Sequence, residues 1–229
     1  MITTLRRIWP ILAALSWIMA VVLAFVAAGS GTIALDLRIS HHVQAWTVPG
    51  LNPLTDLTNG FFSGSVLTIA TVVGATTLFA MNQRSAAFVM LGGLPLRLLN
   101  SVLKDIIASP RPTSDQIHVD HLSSGYGFPS GHTVGAVLFL GTCAWLLSRH
   151  HSWSITLGSW LVAAFGVVIT AVGRIRVGAH WPSDTLGAVL WAAPMLVLLI
   201  VATTAIMPDN GKRRGRIAST SPFGLGRWR

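Results

Sequence analysis

Between two long apolar runs the chain reads Gly173-Arg174-Ile175-Arg176-Val177-Gly178-Ala179-His180-Trp181-Pro182-Ser183-Asp184. An aspartate one helical turn after a histidine accepts from one ring nitrogen and leaves the other unprotonated. That arrangement makes the imidazole a nucleophile with its own orienting group. Pro182 is a good first helical residue, so Asp184 should fall in the first turn of a helix with His180 just before it. Arg174 adds a cation. Arg176, two residues on, reads as facing headgroups.

Two further clusters carry compatible chemistry. Lys104 and Arg111 are separated by six residues, and Arg111 stands between Pro110 and Pro112, which restrict its backbone. A lysine point charge beside a planar guanidinium is a common combination for phosphate oxygens. Pro129-Ser130-Gly131-His132 opens an apolar run. Ser130 is a natural N-cap, Gly131 lets a ligand approach the backbone, and free amides at a helix start attract anions. His132, in the first turn, is placed to donate a proton to a leaving oxygen. Three cations, helix-start amides and two histidines together fit a phosphate carrying close to two negative charges.

The elements that must position these residues are membrane helices. The 229 residues are 52% hydrophobic and 10% charged, with a mean hydropathy of +0.64. Soluble domains carry about 25% charged residues. At about 20 apolar residues per span, the spacing predicts six spans, over residues 9–28, 61–81, 85–107, 130–148, 154–172 and 182–207. The first is expected to be an uncleaved span, because it exceeds the roughly 7–15 residues of a signal-peptide core. Within 29–61, Leu35, Ile39, Val43 and Trp46 recur at helical spacing while His41, His42 and Gln44 face elsewhere, which predicts a short amphipathic helix at the membrane surface. Arg97, Asn100 and Lys104 share one face of the third span and should point into the bundle. Arg97 and Asn100 would then form a polar floor beneath the phosphate. The fold class expected is all-α, an integral membrane six-helix bundle with a surface helix after the first span. Residues 1–207 form one domain with a core of about 61–201, and 208–229 read as a basic, disordered tail.

Charge placement orients the bundle. Both termini and two short turns hold Arg6, Arg7, Arg84, Arg149, Lys212, Arg213, Arg214, Arg216, Arg227 and Arg229, ten of the sixteen basic residues. The positive-inside rule places these in the cytoplasm and the three polar loops on the extracytoplasmic side of a cell membrane. The +9 charge therefore reflects topology, and no nucleic-acid partner is expected. Cys143 is the sole cysteine and lies in an apolar run, so it reads as a buried small hydrophobe. All seven acids are Asp. Asp115, His118, Asp120 and His121 show no metal spacing and read as a solvated loop, as does the pair His41-His42 nearer the N-terminus. No metal and no cofactor are expected, since fixed cations serve the phosphate.

Lys104…Arg111-Pro112, Pro129-Ser130-Gly131-His132 and Arg174…His180…Asp184 resemble the three-part signature of the type-2 phosphatidic acid phosphatase superfamily, over roughly residues 61–201. One position departs: the residue before Arg174 is usually Ser in that pattern and is Gly173 here. The resemblance implies that His180 attacks phosphorus to form a phosphohistidine and that Asp184 orients it. It also implies that His132 protonates the leaving group and then helps activate water. Lys104, Arg111 and Arg174, with the Ser130 and Gly131 amides, would hold the phosphoryl oxygens. It further implies a metal-independent lipid phosphatase acting on undecaprenyl pyrophosphate, phosphatidylglycerol phosphate or phosphatidic acid at the outer membrane face. A lipid phosphotransferase using the same site, and a non-enzymatic transporter of anionic lipids, are the alternatives. Phosphate release abolished by His180→Ala separates enzyme from carrier.

Overall fold

The structure is a computed structural model that describes residues 2–29, 33–120, 123–149 and 151–207, with side chains from Ile8 onward. Every regular element in these segments is an α-helix: α1 (Ile2–Gly29), α2 (Ala34–Gln44), α3 (Leu51–Phe61), α4 (Gly64–Ala80), α5 (Arg84–Ile107), α6 (Gly131–Ser148), α7 (Trp153–Arg176) and α8 (Pro182–Ile206). His121 and the expected tail of 208–229 lie outside the described residues.

Five helices, α1, α5, α6, α7 and α8, are long and apolar enough to cross a membrane. The expected second span is different. α4 covers most of it but, at 17 residues, is too short to count by itself; it meets α3 at a bend of 69°, and only if that bent pair counts as one span does the number reach six. α3 ends at Phe61 with Phe62 as its C-cap, and Ser63 starts α4 in an extended conformation. The threonines of α4 suit an apolar medium. Thr68, Thr71, Thr76 and Thr77 each donate to the carbonyl four residues back, so none of these four hydroxyl protons is left without an acceptor.

α6 is the axis of the bundle. Half of its span is buried, against 17% for α1, α7 and α8, and it packs on α5, α7 and α8. Its small residues admit the neighbours: a side chain at Gly135 would collide with Leu67 and one at Gly141 with Leu196. Val89, Val134, Val137, Leu138, Ala188, Ala192 and Leu196 form the core around it. In lipid there is no hydrophobic drive between helices, so close packing of this kind and interhelical hydrogen bonds, worth about 0.6 kcal/mol each, hold the bundle. α1 joins α8 this way, with Ser16 Oγ donating to the Leu190 carbonyl at 2.8 Å and the rings of Trp17 and Trp191 6.4 Å apart.

α2 stands where a surface helix was expected, and of its four recurring apolar positions only Val43 turns inward. Leu35 is 62% exposed, Ile39 and Trp46 are also exposed, and Asp36, Ser40 and Val43 are buried. The cause is a polar dock onto the start of α8: Asp36 accepts the Ser183 amide at 2.9 Å and the Ser183 hydroxyl at 2.6 Å. Burial pushes the Asp36 carboxyl above the usual carboxylate range, and the Ser183 bonds pull it partly back. Gln44 adds bonds to the carbonyls of His118, Ile175 and Arg176. Arg176 does not face headgroups. It donates to the carbonyls of Val43 and Trp46 and to Asn52 Oδ1 at 2.7 Å, fastening the end of α2 and the start of α3 to α7.

Candidate active site

The last turn of α7 sets the position of His180. The sequence reading ended this helix at 172, whereas it runs to Arg176, so Arg174 and Arg176 are helical. It then closes in a Schellman turn: the Ala179 amide reaches the Arg174 carbonyl and the Gly178 amide reaches the Ile175 carbonyl, both at 3.1 Å. Gly178 has φ +67°, and a side chain there would collide with the His118 carbonyl. The turn carries the chain directly into α8, so Arg174 and His180 face one cavity and Asp184 lies beneath.

The hydrogen bonds fix the state of His180. Arg111 Nη1 lies 3.2 Å from His180 Nε2, and a guanidinium only donates, so Nε2 carries the lone pair. The proton therefore sits on Nδ1, which donates to Asp184 Oδ2 at 3.1 Å. Asp184 Oδ2 is held in place by the Trp181 amide at 3.0 Å. Gly127 passes so close that a Cβ there would lie 2.6 Å from the same oxygen. His180 is 2% exposed, and burial together with Lys104, Arg111 and Arg174 drives its pKa well below the ordinary imidazole value. It is a neutral imidazole at physiological pH. Arg111 itself is lowered by burial and partly restored by Asp184, from a starting value so high that it stays charged.

A cavity of about 840 Å³ opens in front of Nε2, lined by Lys104, Arg111, His132, Arg174 and His180 among others. All three expected phosphate cations thus reach it. Lys104 Nζ also donates to the carbonyls of Tyr126 and Gly127, and Arg111 Nε to that of Gly125, so the cations shape the loop that closes the site. Gly131 and His132 line the cavity, and a Cβ at Gly131 would meet nothing nearer than Asn100 Nδ2 at 3.9 Å. The first-turn amides of α6 are therefore approachable. Ser130 is not used as expected. It is fully buried, its amide donates to the Asp184 carbonyl at 3.0 Å, and its hydroxyl accepts from Thr133 Oγ1 instead of capping the helix. It locks the second cluster to the third, and its amide is not available to a phosphate.

One residue of the site was missed in the sequence. Asn59, at the end of α3, takes Arg174 Nη1 on its Oδ1 at 3.4 Å, and its backbone carbonyl receives the His132 imidazole. It also packs on the backbone of α7, where a Cβ at Gly173 would lie 3.1–3.3 Å from Thr55 and Asn59. The loop acids and histidines do not join the site. Asp115 is exposed, His118 pairs with Asp120 at 2.7 Å on the surface, and His41 and His42 are exposed. Among the described residues no group of three or more His, Cys, Asp or Glu is disposed to hold a metal ion.

Residues 85–208 match the sequence profile of the PAP2 superfamily, more than half of the chain. The chain belongs to this superfamily. It is a phosphatase and a multi-pass membrane protein. Phosphatidylglycerophosphatase B of Bacillus subtilis is 29% identical over 159 residues, 66% of this chain and 75% of that protein. Human sphingosine-1-phosphate phosphatase 2 is 29% identical over 110 residues, which cover 47% of this chain and 27% of that protein. The fold matches the crystal structure of the transmembrane PAP2-type phosphatidylglycerolphosphate phosphatase of Bacillus subtilis with a TM-score of 0.68, at 22% identity and over 92% of this chain and 98% of that one. Within the PAP2 pattern, the departure at Gly173 has a local cause: α3 occupies the space that the usual Ser would take.

Proposed function

We propose that this PAP2 phosphatase is a metal-independent lipid phosphatase working through a phosphohistidine. The observation that carries this reading is the tautomer of His180, with Nδ1–H on Asp184 and the Nε2 lone pair turned into a cavity lined with cations. His180 Nε2 attacks phosphorus and the bond from phosphorus to the leaving oxygen breaks. Protonated His132 gives that oxygen its proton. Asp184 stabilises the positive charge on the imidazole. In the second step neutral His132 takes a proton from water as the water oxygen attacks phosphorus. The P–N bond then breaks, inorganic phosphate leaves, and Nε2 regains its lone pair. As phosphate enters, Arg111 Nη1 exchanges His180 for a phosphoryl oxygen. Lys104, Arg174 and the Gly131 and His132 amides hold the remaining oxygens, supplying the charge stabilisation on which phosphoryl transfer depends.

In this reading α3 and α4 together complete a sixth span and α2 lies at the membrane surface with Leu35 and Ile39 toward lipid. Residues 1–207 form the catalytic domain, and 208–229 a cytoplasmic tail. Both termini are cytoplasmic and the site is extracytoplasmic, as the ten basic residues of the opposite side support. The lipid tail enters between helices from the bilayer. Phosphatidylglycerol phosphate is the first candidate substrate, given the Bacillus subtilis relative, with undecaprenyl pyrophosphate and phosphatidic acid next. The test is phosphate release from a panel of these lipids in detergent, with and without EDTA. Release that survives EDTA and vanishes in His180→Ala is expected. No release from any of them favours a carrier, and phosphate appearing only on an added lipid acceptor favours phosphotransfer.

A further inference from the structure

Arg97 lies in α5 seven residues before Lys104, about 10 Å of helix rise deeper in the bundle. An arginine inside a membrane span is costly and faces the interior or a cavity for a reason. Arg97 lines the same cavity as His180, together with Leu94, Leu98 and Phe62. Its guanidinium donates to Thr68 Oγ1 and to the Gly64 carbonyl, both at 3.2 Å. Both oxygens are neutral, and both bonds are longer than the roughly 2.7–2.9 Å of a charge-assisted contact. A strong anion acceptor would displace them.

The direction of the cavity says which anion. If the scissile phosphate sits at His180, the lipid tail must leave toward the bilayer interior, which is the Arg97 side. Whatever links phosphate to tail passes Arg97. We propose that Arg97 is a second anion subsite, selecting lipids in which a tail-side phosphate separates the terminal phosphate from the tail. This rests on the phosphatase reading above. A pyrophosphate and a phosphodiester linked through glycerol both supply that group. A lipid with one phosphate sets an uncharged ester or carbinol carbon against the guanidinium.

The experiment uses matched pairs: phosphatidylglycerol phosphate against phosphatidic acid of the same acyl chains, and undecaprenyl pyrophosphate against undecaprenyl phosphate. In Arg97→Gln, kcat/KM for the two-phosphate lipids should fall on the order of 10- to 100-fold, the range for losing a hydrogen bond to a charged group. The one-phosphate lipids should change less than about threefold. Loss within one pair alone supports the subsite and identifies the linkage it serves. Equal loss on all four lipids makes Arg97 a mere staple between α4 and α5 and overturns the proposal, as does no loss. A binding measurement keeps the idea testable if Arg97→Gln fails to fold or no lipid turns over. Wild-type protein in detergent should bind methylenediphosphonate at least roughly tenfold tighter than inorganic phosphate. Equal binding of the two ions rejects the subsite, whereas absent turnover with preferential diphosphonate binding rejects only the phosphatase reading.

Discussion

At the scale of single residues, the proposed chemistry depends on one proton being on the correct nitrogen. Asp184 fixes it on Nδ1, so Asp184→Asn, which keeps the volume but removes the charge and admits the wrong tautomer, should lower kcat by up to about 10⁴-fold, as for orienting carboxylates in triads. Steady-state assays check the rate, and ³¹P NMR of acid-labile, base-stable phosphoprotein checks that less phosphohistidine accumulates. The depressed pKa of His180 makes a second prediction. In the unfolded chain this imidazole titrates near about 6.5. In the folded protein it resists protonation. Below that pH the unfolded state binds the extra proton and the folded state does not, so stability is lost as pH falls. Thermal unfolding in detergent should show a lower Tm at pH 5 than at pH 7, with the difference reduced in His180→Gln. The loss of kcat/KM on acidification should not be centred near 6.5 through His180. A His180 signal titrating at that pH by NMR would contradict the burial argument.

At the scale of elements, the site was legible wherever its parts were close in sequence. Histidine, aspartate and arginine on consecutive helix ends announce themselves by spacing, and a Schellman glycine at 178 keeps that spacing meaningful in three dimensions. Asn59 was not legible, because its partner Arg174 is 115 residues away and an amide in a mixed segment carries no charge signal. The docking of α2 was equally hidden: periodicity reveals its apolar face, but not that Asp36 on the other face binds Ser183, 147 residues away. Gly173 links these points. Restoring the serine usual in the PAP2 pattern should not help here, because its Cβ would stand 3.1–3.3 Å from Thr55 and Asn59. Overpacking of that kind costs about 1–3 kcal/mol. Gly173→Ser should lower Tm and raise KM by pushing Asn59 off Arg174, whereas in an Asn59→Ala background the same serine should cost less, with only Thr55 left to give way. A double-mutant cycle on Tm and KM reads the coupling. Additive effects would mean that Asn59 and residue 173 do not share the space.

At the scale of the whole molecule, five of the six expected spans translate into single long helices, whereas the second is the 17-residue α4, bent by 69° against the more polar α3 before it. Beside that bend Asn59, near the end of α3, accepts from Arg174 of α7. The same architecture makes orientation testable without any assay of activity. α5 and α7 both run toward the site and α6 and α8 both run away from it, so the loop of 108–130 and the turn of 177–181 must share one side, and the turns at 81–83 and 149–152 the other. Ser114 and Ser152 are exposed on these opposite sides, and neither side chain makes a described hydrogen bond. In a Cys143→Ala background, Ser114→Cys should react with a membrane-impermeant maleimide in intact cells. Ser152→Cys should react only after permeabilisation. The opposite pattern would put the cavity and its cations in the cytoplasm, against the positive-inside distribution, and would require the lipid phosphate to be presented from the inner leaflet.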